Sequence, residues 1–320
     1  MGGTAMYGNI KHNAEYINTL LNFIRYHYNI DAISIKPAKR GFFGETWKLD
    51  AANMDYFIKL DYSTTHKEQY ERSFQVIERL NNYGIDCISK IVKTNTGNLS
   101  TYFNEAVIGV FNWIHGENIE NDETKIPEYQ MLAQVYNVPH SGLAVPTENF
   151  SGRSADKFFS QWQSLENNHL RSLFEKNRTK LEHRAERIKY FANLCRDDTN
   201  DFCITHGDAG GNIIKKHDTY YIVDWDDTII APPERDAWNM LCYEGKSDWA
   251  RCLFQKALRQ HGNMHVLRNE RLAYYCYFYY FFYMTEYLDA FLQIGNIHEE
   301  VERYFIGWIE NRASYADKFF

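Results

Sequence analysis

The stretch ITHGDAGGNIIKKHDTYYIVDWDD, residues 204–227, constrains the chain more than any other. Two short runs, Asn212–Lys215 and Tyr220–Asp224, flank the turn pair His217-Asp218 and predict a β-hairpin. A hairpin brings its outer ends within a few ångströms of each other. The loop carrying His206, Asp208 and Asn212 must therefore meet the loop carrying Asp224, Asp226 and Asp227. An Asp on one loop can accept a proton from a hydroxyl, while an Asn from that loop and an Asp from the other offer oxygens to a hard cation such as Mg²⁺. This division of labour suits phosphoryl transfer, which needs metal ions to neutralise phosphates and a carboxylate to position the attacking hydroxyl.

At 320 residues the chain is long enough for one large domain or a pair of lobes with a sizeable core. Hydrophobic residues at 44% and charged ones at 24% are ordinary globular values, and a formal charge of −7 gives no reason to expect nucleic acid as a partner. The six cysteines, Cys87, Cys195, Cys203, Cys242, Cys252 and Cys276, include no C-x-x-C pair, which argues against structural zinc. With no signal peptide evident, they read as free thiols in a reducing cytoplasm. The run Ala273–Met284 (AYYCYFYYFFYM) is too short to span a bilayer and rich in hydroxyls, so it reads as a core helix rather than a membrane segment. No function attaches to MGGTAMYGN at the start.

Along the chain, Tyr16, Leu20 and Phe23 at helical spacing predict a helix over 12–28. Residues 33–60 alternate in short runs and predict a meander of strands. HKEQYERSFQVIERLNNYG carries Tyr70, Phe74, Ile77 and Leu80 on one stripe and predicts a helix stopped near Gly84. Strands follow around 89–93 and 101–111, then a linker, WIHGENIEND. Beyond about Pro127 the pattern is helical except for the opening stretch. The expected architecture is α+β, with a small, mostly antiparallel-sheet part over 1–112 and a larger, mainly helical part over 113–320.

H-G-D-x(n)-N followed by a hairpin and I-V-D-W resembles the catalytic loop and metal-binding aspartate of the aminoglycoside phosphotransferase family, relatives of the protein kinases. DWDDTIIAPPERDAW, residues 224–238, is similar to spectinomycin phosphotransferases in particular. The resemblance implies a bilobal kinase-like fold, with Asp208 as catalytic base, Asn212 and Asp224 as Mg²⁺ ligands, His206 as scaffold of the loop, and Asp236 as a buried acid bracing it. One feature departs from the family. Asn212 lies four residues after Asp208 rather than five, with Ile213 in the usual place; Gly210 and Gly211 can take backbone conformations other residues avoid, which would let a tightened loop still aim Asn212 at the metal.

The resemblance also implies an ATP (or GTP) clamp in the first part. Lys59, mid-strand among apolar residues in YFIKLD, would grip the phosphates. The loop Arg40–Thr46, with Gly41, Phe43 and Gly44, would cover them. Glu71, or failing that Glu68, would pair with Lys59. The backbone of Asn112, Trp113 and Ile114 would meet adenine, with Ile214 and Val223 as its apolar floor.

A cationic small molecule is the expected partner, and the acids Asp226, Asp227, Glu244, Asp248, Glu286 and Asp289 are its candidate contacts. An aminoglycoside or spectinomycin-like aminocyclitol is the first acceptor to consider. A metabolic kinase of choline, an amino alcohol or a sugar is an alternative, as is a kinase-like binding protein without catalysis. The sequence leaves the oligomeric state open.

Overall fold

The computed structural model describes residues 12–38, 44–119, 121–166, 169–294, 303 and 307–320. Two compact units emerge, Met1–Pro146 with His206–Ile229, and Thr147–Thr205 with Ile230–Phe320.

In the first unit, helix α1 (Ala14–Tyr28) starts where the Asn13 side chain accepts the Tyr16 N–H at 2.8 Å, and it stops at Asn29 in the left-handed region. Its buried stripe, Leu20, Leu21, Ile24 and Tyr28, joins a core with Trp47, Leu49, Ile58, Leu60 and Ile108 from the sheet. That sheet is antiparallel, in the order β1 (Ala32–Pro37), β2 (Glu45–Ala51), β3 (Tyr56–Asp61), β6 (Ala106–Asn112) and β4 (Ile91–Val92), with β5 (Thr101–Phe103) also pairing β6. The strand expected over 101–111 is two strands, because Asn104 and Glu105 both take positive φ and turn the chain between them. Helix α2 (Thr64–Asn82) lays Phe74 on β6 at Gly109, where a Cβ would stand 2.5 Å from the ring.

The expected linker after β6 is partly a strand. β7 (Glu117–Asn118) pairs with β9 (Ile213–Lys216), which pairs in turn with β10 (Thr219–Ile222) around His217 at φ 54°. Helix α3 (Lys125–Val135) packs on β10, and Ile222 donates its N–H to the Cys87 carbonyl at 2.8 Å. These contacts place residues 113–146 and the hairpin in the sheet-bearing unit, so the compact units do not divide at residue 112.

Gly116 makes the approach of the linker to β9 possible. A Cβ there would collide with the Lys215 carbonyl oxygen and stand 2.6 Å from the Ile214 side chain. Gly116→Ala is expected to cost roughly 1–3 kcal/mol by overpacking. Gly211→Ala, whose added Cβ meets nothing within 4 Å, is expected to change stability by no more than about 0.5 kcal/mol. Urea unfolding of the two variants checks the contrast.

The second unit gathers α4 (Arg153–Ser164), α6 (Arg178–Cys195), α7 (Glu234–Leu241) and α10 (Trp308–Phe319) around α9 (Asn269–Ile294), together with α5 (His169–Lys176), α8 (Ser247–Gln260) and the strand pair β8 (Cys203–Thr205) and β11 (Ile229–Ala231). The aromatic run of α9 is core, as its composition predicted: Tyr274, Tyr275, Tyr277 and Tyr280 are fully buried. Among the described residues no helix is long and apolar enough to cross a membrane. All six cysteines are free thiols.

At the start of α7, in the ERD segment, the fully buried acid is Glu234. Its Oε1 accepts the Arg268 N–H at 2.7 Å and lies 3.0 Å from His265 Nε2. His265 Nδ1 lies 3.0 Å from Asp201, which also takes two hydrogen bonds from buried Arg271. Burial pulls the His265 pKa down, but the bonds to Asp201 and Glu234 outweigh it and raise it from 6.5 to about 9. Burial likewise opposes ionisation of Asp201, yet His265 and Arg271 hold its carboxyl well below the usual range. The His265 contribution, about 3 kcal/mol, is then complete below pH 6.5 and disappears as pH rises through about 9. The Asp201 contribution is complete above the ordinary carboxylate pKa near 3.8 and is lost as pH falls below it. Stability should therefore peak between these limits, and His265→Gln should flatten the alkaline fall in the denaturation midpoint.

Candidate active site

The two loops meet as the hairpin requires, and they meet through backbone. His206, wholly buried, donates from Nε2 to the Val223 carbonyl at 2.9 Å and accepts the Asp208 N–H on Nδ1 at 3.1 Å. Those partners fix the neutral tautomer with the proton on Nε2, and the Trp225 ring closes edge-on at 4.6 Å. A single 3₁₀ turn, Ala209–Gly211, follows Asp208. Asn212 then donates from Nδ2 to the Asp208 carbonyl at 2.7 Å and to its carboxylate at 3.2 Å, while the Asn212 carbonyl accepts the Val223 N–H at 3.0 Å. Asp224, the next residue, sits at φ 65°.

The shortened spacing thus leaves the Asn212 side chain on Asp208 and its carbonyl on Val223, the residue before Asp224, but not for the expected reason. Neither Gly210 nor Gly211 takes a positive φ, so the turn does not use glycine's backbone freedom. What Gly210 supplies is room: a Cβ there would lie 3.0 Å from the ammonium of Lys125.

Lys59 on β3 reaches the same place. Its Nζ donates to Asp224 Oδ1 at 2.8 Å and also to Asp226, and it stands 4.6 Å from the centre of the Tyr70 ring. Burial opposes the charge on Lys59, but the two carboxylates raise its pKa well above that of a free lysine. Between the acids the effects diverge. Lys59 holds Asp224 below the usual carboxylate range against the cost of burial, whereas burial pushes Asp226 up to about 7 despite Lys59, helped by its neighbour Asp224. Desolvation also raises the Asp208 pKa, with Asp227 and Asp224 adding to the shift and the hydrogen bond from Asn212 opposing it.

Two expectations are corrected here. Glu71 does not pair with Lys59; it accepts the Tyr102 hydroxyl, and Glu68 pairs with Arg72. The helix face toward the site carries Gln69, and residue 71 is about 200° further round. Gln69 Nε2 donates to the Asp226 carbonyl and the Asp227 carboxylate, both at 3.1 Å. Asp226 faces Lys59 rather than a substrate pocket; Asp227 is exposed.

Gly44 takes φ 70° and packs on the Leu60 carbonyl, which excludes a side chain there. Gly41 and Phe43 lie outside the described residues. At the end of β6 the Asn112 carbonyl accepts the Ser89 hydroxyl at 2.7 Å and the Trp113 N–H goes to the Asp55 carbonyl at 3.0 Å. Ile114, Ile214 and Val223 are half-buried. In the second unit Asp236 is half-buried in the first turn of α7, so the deeply buried acid of that segment is Glu234 instead. Glu244 pairs with Lys318 at 2.6 Å, and Glu286 and Asp289 lie 3.9 and 3.5 Å from Lys157, so each of these three acids already meets a lysine of its own unit. Asp248 is exposed in the first turn of α8.

Residues 34–269 match the phosphotransferase enzyme family. The chain belongs to this family. The phosphotransferase also has the kinase-like fold of solved relatives. A spectinomycin phosphotransferase, APH(9)-Ia, in complex with ADP and spectinomycin, superposes with a TM-score of 0.75 at 20% identity, covering 94% of this chain and 98% of that one. Choline kinase LicA from Streptococcus pneumoniae gives 0.62 at 14% identity over 96% and 100%. Amicoumacin kinase hAmiN, solved with AMP-PNP, Ca²⁺ and Ami, gives 0.65 at 13% over 94% and 93%. No curated protein sequence matches significantly.

Three features of the two units escaped the sequence reading: Gln69, the 2.6 Å bond between Lys125 and the buried Glu128 in the first unit, and the buried Glu234 of the second. For Glu128 a signal existed, a lone acid inside the apolar run of KIPEYQMLAQV. Gln69 and Glu234 had none beyond their neighbours.

Proposed function

We propose that this phosphotransferase moves the γ-phosphate of ATP to a hydroxyl of a cationic small molecule, with an aminoglycoside or a spectinomycin-like aminocyclitol as the first acceptor to test. The observation that carries the reading is the convergence of Asp208, Asn212, Asp224 and Lys59 within one compact unit. Asp208, its raised pKa bringing it toward a working base, orients the acceptor hydroxyl and takes its proton. Lys59 turns from the two aspartates to the nucleotide phosphates.

Asn212 and Asp224 fit Mg²⁺ as a sparse pair of oxygen donors, the set this ion uses when phosphates and water complete its shell. The bound ion would neutralise phosphate charge. Adenine would meet the backbone of residues 112–114, chiefly at Ile114, since the Trp113 N–H already has a partner, with Ile214 and Val223 beneath the ring. In this reading residues 1–112 form the nucleotide lobe and 113–320 the lobe of the catalytic loop, and the enzyme works in the cytoplasm.

A choline or amino-alcohol kinase is the second reading, supported by the likeness to LicA. ADP release measured with spectinomycin, a kanamycin-type aminoglycoside and choline separates the two. No ADP release with any acceptor, together with no rise in thermal midpoint on adding Mg·ATP, would sink both in favour of a non-catalytic binding protein.

A further inference from the structure

Lys125 opens α3, and its side chain is only 12% exposed. Its ammonium bonds Glu128 at 2.6 Å, and Glu128 is itself 1% exposed. A lysine held by a buried acid one turn along its own helix could be no more than a structural pair. Two further observations point elsewhere. The ammonium comes within 3.0 Å of where a Cβ at Gly210 would stand, which places it against the turn two residues beyond Asp208. Gly210 does not take a positive φ, and the Lys125 ammonium is the one atom within 4 Å that a Cβ there would meet. The same turn is tied from β7, where Asn118 donates to the Gly211 carbonyl at 3.1 Å.

We propose that Lys125 is a second phosphate-directed cation, which binds the transferred phosphoryl group from the catalytic-loop side while Lys59 serves the nucleotide from β3. An ammonium has three donors and Glu128 takes one, so donors remain for phosphate oxygens. Glu128 fixes the charge in place before the reaction, the condition under which an electrostatic group lowers a barrier most. This role rests on the phosphotransfer reading above.

The test compares Lys125→Met combined with Glu128→Gln, which leaves no unpaired buried carboxylate, with Lys125→Arg and with Gly210→Ala, whose methyl presses on the ammonium. With an accepted acceptor, the neutral pair should lower kcat about 100-fold with little change in acceptor KM and with the Mg·ATP thermal shift retained. Lys125→Arg should keep most of the rate. Gly210→Ala should lower kcat in the wild type and add little to the neutral pair. An unchanged kcat in the neutral pair, or an arginine variant as slow as that pair, would overturn the role of Lys125 while leaving phosphotransfer intact. A wild type without turnover or nucleotide shift would overturn both.

Discussion

Asp208→Asn should abolish nearly all ATP-dependent phosphorylation, with kcat falling by about 10²–10⁴ and nucleotide binding largely kept. The substitution removes the proton acceptor but preserves shape, and the supports of the loop do not depend on the carboxylate. The Asp208 N–H still reaches His206, and its carbonyl still accepts Asn212. Binding of Mg·ATP, read by thermal shift, separates lost chemistry from lost folding. Turnover at the wild-type rate would remove Asp208 from the mechanism.

Lys59→Met should weaken two properties together. The lysine is buried against Asp224 and Asp226; its loss leaves the Asp226 carboxyl buried without its cation, while Asp224 keeps water at its 44% exposed side chain, so the cost is on the order of 1–3 kcal/mol. Nucleotide KM should rise in parallel. Adding Asp226→Asn should recover part of the stability without restoring nucleotide affinity. Urea denaturation and nucleotide titration on the single and double variants measure the two effects independently. A single variant as stable as the wild type would mean that the ion triad contributes nothing to folding.

Legibility in the sequence followed the range of the interactions. The hairpin, the meander, α1, α2 and the aromatic core of α9 were readable because periodicity and turn residues act locally. Asp208, Asn212 and Asp224 were readable as a group because a hairpin guarantees the meeting of its ends. The partner of Lys59 was not, since it depends on which face of α2 turns toward the sheet. Glu71 and Gln69 lie two residues apart, and no pattern in ERSF or KEQY distinguishes them. The strand at 117–118 was hidden for a related reason: two residues pair with β9 only because Gly116 lets the backbones close, and two residues show no alternation.

Val223 holds the catalytic loop by its peptide groups alone, its N–H on Asn212 and its carbonyl on His206. On the proposed reading, in which the Val223 side chain lies beneath adenine, loop geometry and nucleotide selectivity can therefore evolve independently at this codon. Any side chain that leaves the amide hydrogen in place keeps the clamp, and proline alone forbids it, so a saturation library at position 223 should scatter in nucleotide preference while losing activity outright only with proline.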